Sequence, residues 1–175
     1  MDEALNLENR RKIYQFVAKH PGTHVREMER GLGMQTGLLA YHLDYMEKRQ
    51  VLRVEEDGYY KRYFPADRFH LKDRRTMSVL RQRMPRKIIM HLILNGPSSF
   101  QQLQVAMGIS KSTLSYHLKR LSARGMIVVS KREKESIYSV EDLSYVADLL
   151  VSLRESLESD AVDRFADIWG KLGGA

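Results

Sequence analysis

Between Ser110 and Gly125 the chain reads Ser-Lys-Ser-Thr-Leu-Ser-Tyr-His-Leu-Lys-Arg-Leu-Ser-Ala-Arg-Gly, a run of hydroxyls, cations and a phenol without an acid. Side chains of these types bond phosphate oxygens and the acceptors on base edges. Leu114, Leu118 and Leu121 recur at helical spacing. At roughly 100° per residue, Ser112, Tyr116, Lys119 and Arg120 then share the opposite face. Ser110 is a good N-cap, because its hydroxyl accepts from an amide of the first turn. Gly125 tolerates the left-handed conformation that ends a helix. A polar, cationic face of this kind suits a helix laid into a DNA major groove. Lys111, Ser112, Thr113, Ser115 and Tyr116 lie in the first two turns, where such helices meet bases. Lys119 and Arg120 lie further along and suit phosphates, which give affinity and register rather than sequence.

A weaker copy of this stretch occurs earlier. Shifting the chain by 75 positions aligns Arg11–Val54 with Arg86–Val129 without a gap. Arg11-Lys-Ile13 matches Arg86-Lys-Ile88, Leu39-Ala-Tyr-His-Leu43 matches Leu114-Ser-Tyr-His-Leu118, and Gly33 matches Gly108. The chain is two copies of one unit. The first copy departs on its polar face, where Gly37, Tyr41, Asp44 and Tyr45 stand for Ser112, Tyr116, Lys119 and Arg120. Asp44 is unfavourable toward phosphates. Gln35, Thr36 and Tyr41 remain candidate DNA contacts, with Lys61 and Arg62 of the following hairpin. A protein contact, a small effector or a spacer role is equally open for this copy.

The elements that must position these groups follow from pattern. Asn6 is placed to cap a first helix to about Lys19, ended by His20-Pro-Gly22. A short helix is predicted over Val25–Arg30, a turn at Gly31-Leu-Gly33, and a third helix from Gln35 to Arg49. Val51–Glu55 and Tyr59–Phe64 read as strands joined at Glu56-Asp-Gly58, since Asp-Gly is a strong hairpin signal. Alternation puts Tyr60 and Phe64 in the core and leaves Tyr59 and Tyr63 exposed. Three helices and a β-hairpin make a winged helix-turn-helix with the third helix as reader. Asp67–Met84 is an Arg-rich connector whose Met77, Leu80 and Met84 fall at helical spacing, and Pro85 suits the first residue of a new helix. The second copy repeats the plan: a helix to Asn95, then Phe100–Met107, the reader Ser110–Arg124, and strands Met126–Ser130 and Ser136–Val140. The turn Lys131–Glu135, carrying Lys131, Arg132 and Lys134, is the wing. The expected architecture is therefore mainly α with small β-hairpins (α+β). It comprises winged helix 1 (residues 1–66), a helical connector (67–84), winged helix 2 (85–140) and a C-terminal helical segment (141–175).

In that last segment Leu143, Val146, Leu150, Leu153 and Leu157, continued by Phe165 and Trp169, form an apolar face outside both repeats. Such a face needs a partner, and homodimerisation through it is expected, with packing inside the monomer as the alternative.

Charge sharpens the picture. The net charge is +1 over residues 1–66, +4 over 67–84, +7 over 85–140 and −5 over 141–175. The basic density thus surrounds the second reader, and polyanions are plausible partners. Absence of cysteine removes disulfides, thiolate metal sites and cysteine nucleophiles together. His42 and His117 occupy the same place in both copies and are expected to be structural, hydrogen-bonding residues. Pro21-Gly22 separates His20 from His24, and His70 and His91 have no partner at ligand spacing. No metal, cofactor or catalytic constellation is expected, and no enzyme. With no apolar run long enough for a membrane span and no signal-like start at Met1, a cytoplasmic protein is expected.

Gly108-Ile-Ser-Lys-Ser-Thr-Leu-Ser-Tyr-His-Leu-Lys-Arg-Leu121 resembles the arsenical-resistance-repressor (ArsR-like) winged-helix family, and residues 8–140 resemble tandem winged-helix regulators of archaeal type. The resemblance implies a sequence-specific double-stranded-DNA-binding transcriptional regulator. The cysteine metal sites of some family members have no counterpart here. A rival expectation is a protein-interaction subunit of a transcription or chromosome-organising complex. The near-neutral first copy and the acidic tail favour that rival, and the charge of residues 67–140 opposes it.

Overall fold

Apolar residues at i, i+3 and i+4 spacing bury by packing the helix on another helix or on a sheet, and each repeat does so around its own core. The computed structural model describes residues 3–173, with side chains from Asn6 onward. Internal contacts divide the chain into two compact units, the first ending at Ser78 and the second beginning at Val79.

In the first unit α1 (Glu3–Lys19), α2 (Val25–Leu32) and α3 (Thr36–Lys48) precede β1 (Leu52–Asp57) and β2 (Tyr60–Pro65). Ile13, Val17, Met28, Leu39, Leu43, Met46, Leu52 and Tyr63 form the core; burying each large apolar side chain contributes about 1.5–3 kcal/mol. α1 begins ahead of Asn6, so Asn6 lies inside the helix rather than capping it. The hairpin turn is Gly58-Tyr59, one residue later than the Asp57-Gly58 signal suggests, with Asp57 paired to Tyr60. Tyr63 is buried, contrary to simple alternation. The cause is that β2 is an inner strand: it pairs with β1 on one edge and with Thr23 on the other. Tyr63 packs into the helical core while Phe64 packs on the other side against Phe69, centroids 6.1 Å apart. α4 (Leu71–Leu80) follows.

The second unit holds α5 (Arg83–Asn95), β3 (Ser98–Ser99), α6 (Phe100–Met107), α7 (Lys111–Ala123), β4 (Ile127–Arg132) and β5 (Glu135–Val140). Met84 therefore belongs to α5 and not to the connector helix, and Pro85 is the third residue of α5 rather than its first. Both positions lie in the first turn, where proline's missing N–H costs nothing. The sheet order is β3-β5-β4, all antiparallel. The wing turn is only Glu133-Lys134, because both strands extend further than expected.

The repeat holds to the residue. α2, α3, β1 and β2 map onto α6, α7, β4 and β5 with the shift of 75 at both ends of every element. Gly33 and Gly108 end their helices at φ 65° and 63°. His24 and Glu27 form a capping box on α2, and Ser99 and Gln102 form the same box on α6.

The C-terminal segment is three helices, α8 (Leu143–Ser152), α9 (Arg154–Leu157) and α10 (Asp160–Lys171). Glu158 at φ 45° reverses the chain, and α10 folds back on α8 and α9 while α8 packs on α5. Val146, Leu150, Leu153 and Phe165 are consequently buried inside this unit. The expectation that these four face a second chain is thus corrected: the chain supplies their partner itself. Leu143 is exposed, and Leu157 and Trp169 are half-buried. Arg154 fastens the fold-back, reaching Asp163 at 2.6 Å and Asp167 at 3.2 Å.

Candidate nucleic-acid interface

α7 is built from its cap outward. Ser110 has an extended backbone, and its Oγ accepts from the Thr113 amide at 3.2 Å. The Thr113 hydroxyl lies 2.8 Å from the same Oγ, so Thr113 takes part in the cap. Leu114, Leu118 and Leu121 anchor the helix in the core. Lys111, Ser112, Thr113, Tyr116 and Lys119 are then exposed, with Tyr116 56% accessible, while Ser115 and Arg120 are half-buried. Arg120 is positioned: its guanidinium donates to Gln82 Oε1 at 2.9 Å and sits 5.5 Å from the Tyr116 ring centre. Lys131, Arg132 and Lys134 are exposed along the wing. No Asp or Glu occurs between Asp73 and Glu133, so α5, α6 and α7 carry cations only.

Gln82 is the site residue that sequence reasoning misses. It lies 38 positions from Arg120, and no local pattern links the two.

The equivalent face of the first unit is different in kind. Gln35 precedes α3 with its side chain exposed and not capping the helix. The Thr36 hydroxyl is bonded to the Glu29 carboxylate. Tyr41 is exposed, and Asp44 is paired with Lys48 at 2.8 Å. Tyr45, in the place of Arg120, lies under the Arg10 guanidinium at 3.7 Å. Lys61 is exposed on the hairpin. Arg62 is not available to DNA: it is 5% exposed, pairs with buried Asp57 at 3.2 Å and donates to the Gly22 carbonyl at 3.0 Å. The inward-facing side of β2 explains this, since Arg62 closes a buried charge pair rather than crowning a wing.

His42 is fully buried, and neither ring nitrogen has a hydrogen-bond partner among the described residues. The expected hydrogen-bonding role is corrected to a packing one. Burial, and next the Arg10 cation, hold its pKa below the ordinary histidine value. His117 is shifted the same way by burial and then by Arg120. Both imidazoles therefore favour the neutral form. Among the described residues no cluster of three His, Asp or Glu suits a metal, and no helix is long and apolar enough to cross a membrane.

Comparison with known proteins adds kinship. Residues 7–77 match a family model described as an N-terminal HTH (helix-turn-helix) domain, and residues 76–135 match the MarR family. The chain is 25% identical over 142 residues to an uncharacterized HTH-type transcriptional regulator of Methanocaldococcus jannaschii, covering 81% of this chain and 35% of that protein. It thus spans about a third of that relative's length. The crystal structure of a transcriptional regulator from Thermotoga maritima matches with a TM-score of 0.39 and 20% identity, over 59% of this chain and 85% of that one. The match of the second unit is to a MarR rather than an ArsR-like family, although its reader motif resembles the latter. The chain is similar to an N-terminal HTH domain followed by a MarR-type winged helix, and is homologous to an archaeal HTH-type transcriptional regulator.

Proposed function

We propose that the protein is a transcriptional regulator that binds double-stranded DNA sequence-specifically, with α7 in the major groove and the β4–β5 wing on the backbone. One observation carries this reading: α7 presents hydroxyls and cations from a stretch of chain without a single carboxylate from residue 74 to 132. Lys111, Ser112, Ser115 and Tyr116 would face bases, with Thr113 holding the cap, and Lys119, Arg120, Lys131, Arg132 and Lys134 would face phosphates. Winged helix 1 (1–66) and the connector (67–84) would extend or modulate that contact, and the C-terminal segment (141–175) would brace the second winged helix (85–140). The kinship with HTH-type regulators supports regulation over catalysis.

A homodimer on a pseudo-palindromic site belongs to the proposal. Its contact would draw on what the fold-back leaves exposed: Leu143, Ile168 on α10 and Leu172 just past its end. The test is selection from random-sequence duplex DNA at two salt concentrations. Enrichment of a palindromic motif that survives the higher salt is expected. Weak, motif-free binding abolished by salt would show only a basic surface and favour the protein-interaction reading.

A further inference from the structure

The duplication marks a place that one unit fills and the other leaves open. In the first unit the junction of wing and reader is closed by its own side chains. The His24 imidazole stacks on Tyr60, centroids 4.7 Å apart and 16° from parallel, and Thr36 is bonded to Glu29. At the shift of 75, Ser99 stands in the place of His24, Glu135 of Tyr60, Lys111 of Thr36 and Gln104 of Glu29. These replacements open a cleft of about 520 Å³ between the start of α6, the start of α7 and β5. That is within the roughly 300–1,000 Å³ usual for small-molecule sites.

The lining decides what fits. Lys111 and Glu135 both line the cleft, and no ion pair joins them to each other. A simple anion entering would be repelled by Glu135 and a simple cation by Lys111. A molecule carrying both charges on neighbouring atoms satisfies both with charge-assisted hydrogen bonds. Phe100 and Tyr138 in the same lining offer aromatic surface for its remainder, and Gln101 and Gln104 offer neutral donors and acceptors.

We propose that this cleft binds a small zwitterion, an α-amino acid, with its carboxylate on Lys111 and its ammonium on Glu135. Lys111 is the first residue of α7. The occupant therefore takes a cation away from the DNA face, and ligand and DNA oppose each other by equal factors. This second half rests on the DNA reading above; the pocket itself does not.

The test is isothermal titration calorimetry of the full chain, without DNA, against each of the twenty standard L-amino acids. At least one is expected to bind saturably. Lys111→Met and Glu135→Gln should each weaken it by roughly tenfold to a hundredfold, the loss of one charge-assisted hydrogen bond. Lys111→Arg, which keeps the charge, should retain most of it, and circular dichroism should show all three variants folded. No binding at millimolar concentration, or binding indifferent to both substitutions, would overturn the proposal. The same amino acid should then weaken binding to the selected duplex. If it binds but DNA affinity does not change, the coupling is wrong and the pocket stands. If the chain binds amino acid but no DNA at all, the DNA reading fails by itself.

Discussion

The two units share a backbone and differ in what the backbone carries. Capping boxes, left-handed helix ends, the strand that bridges back to the loop before the second helix, and the apolar positions of each reader recur at a shift of 75. The polar faces do not recur. Where the second unit sets Lys119 and Arg120, the first sets Asp44 and an arginine-covered Tyr45. Where the second keeps its wing cations in solvent, the first turns Arg62 inward onto Asp57. Fold is thus specified by groups that both copies retain, and the proposed recognition by groups that only one presents.

The comparison is easiest to break inside the first unit. Arg62→Met removes the guanidinium paired with the buried Asp57 carboxylate, so a loss of about 3–5 kcal/mol is expected in denaturant unfolding. Adding Asp57→Asn should restore much of it, whereas Lys61→Ala should change stability by less than about 0.5 kcal/mol. An Arg62 variant as stable as wild type would mean that the hairpin is a solvated wing like its counterpart. Of similar size is Phe165→Ala in the C-terminal fold-back, with about 3–5 kcal/mol lost. The loss should be the same at all protein concentrations, because the ring is covered within the chain. A concentration-dependent loss would place this face between two molecules after all.

A smaller effect depends on pH and has the same sign in both units. A histidine whose pKa is depressed by folding binds protons more readily when unfolded. His42 therefore contributes no penalty above the unfolded value of about 6.5, and stability falls as pH drops below it. Stability measured between pH 7 and 5 should fall less in His42→Phe than in wild type, if the ring fits the same space. An unchanged slope would show that His42 gains a proton acceptor in solution.

The smallest effects are at turns, and they are reciprocal. Gly58 and Glu133 occupy one equivalent position, Gln50 and Gly125 another, all at positive φ. Each unit therefore has glycine at one and a strained side chain at the other. Glu133→Gly and Gln50→Gly should each gain up to about 1 kcal/mol, offset in part by the entropy of the freer unfolded chain. Melting temperatures that fall in both variants would sink this.

Much of this was legible in the sequence because it depends on local rules. Helical spacing located α2, α3, α6 and α7 to within two residues or better, and the duplication let each copy check the other. The misreadings have a common physical origin in tertiary contact. Alternation places Tyr63 outward because it describes one sheet face and the second edge of β2 is not visible in the sequence. Arg62 reads as a wing cation, although alternation puts it on the face of Tyr60 and Phe64. The C-terminal stripe reads as a surface for a second chain because nothing local announces the left-handed turn at Glu158. Gln82 was invisible because it meets Arg120 only once α5 packs on α7. Ser99-x-x-Gln102 carries the capping-box signature in the sequence itself.

The central claim is that the second unit holds DNA and the first does not hold it in the same way. It is tested most directly by the salt dependence of affinity for the selected duplex. Wild type would be compared with a Lys119→Ala, Arg120→Ala double variant and with a first-unit variant that removes two exposed cations, Lys48→Ala, Lys61→Ala. Loss of two phosphate contacts should reduce the slope of log affinity against log salt by about 1.8 for the first pair. The second pair should leave it unchanged within error. Equal reductions from both pairs, or a reduction from the first-unit pair alone, would contradict the account.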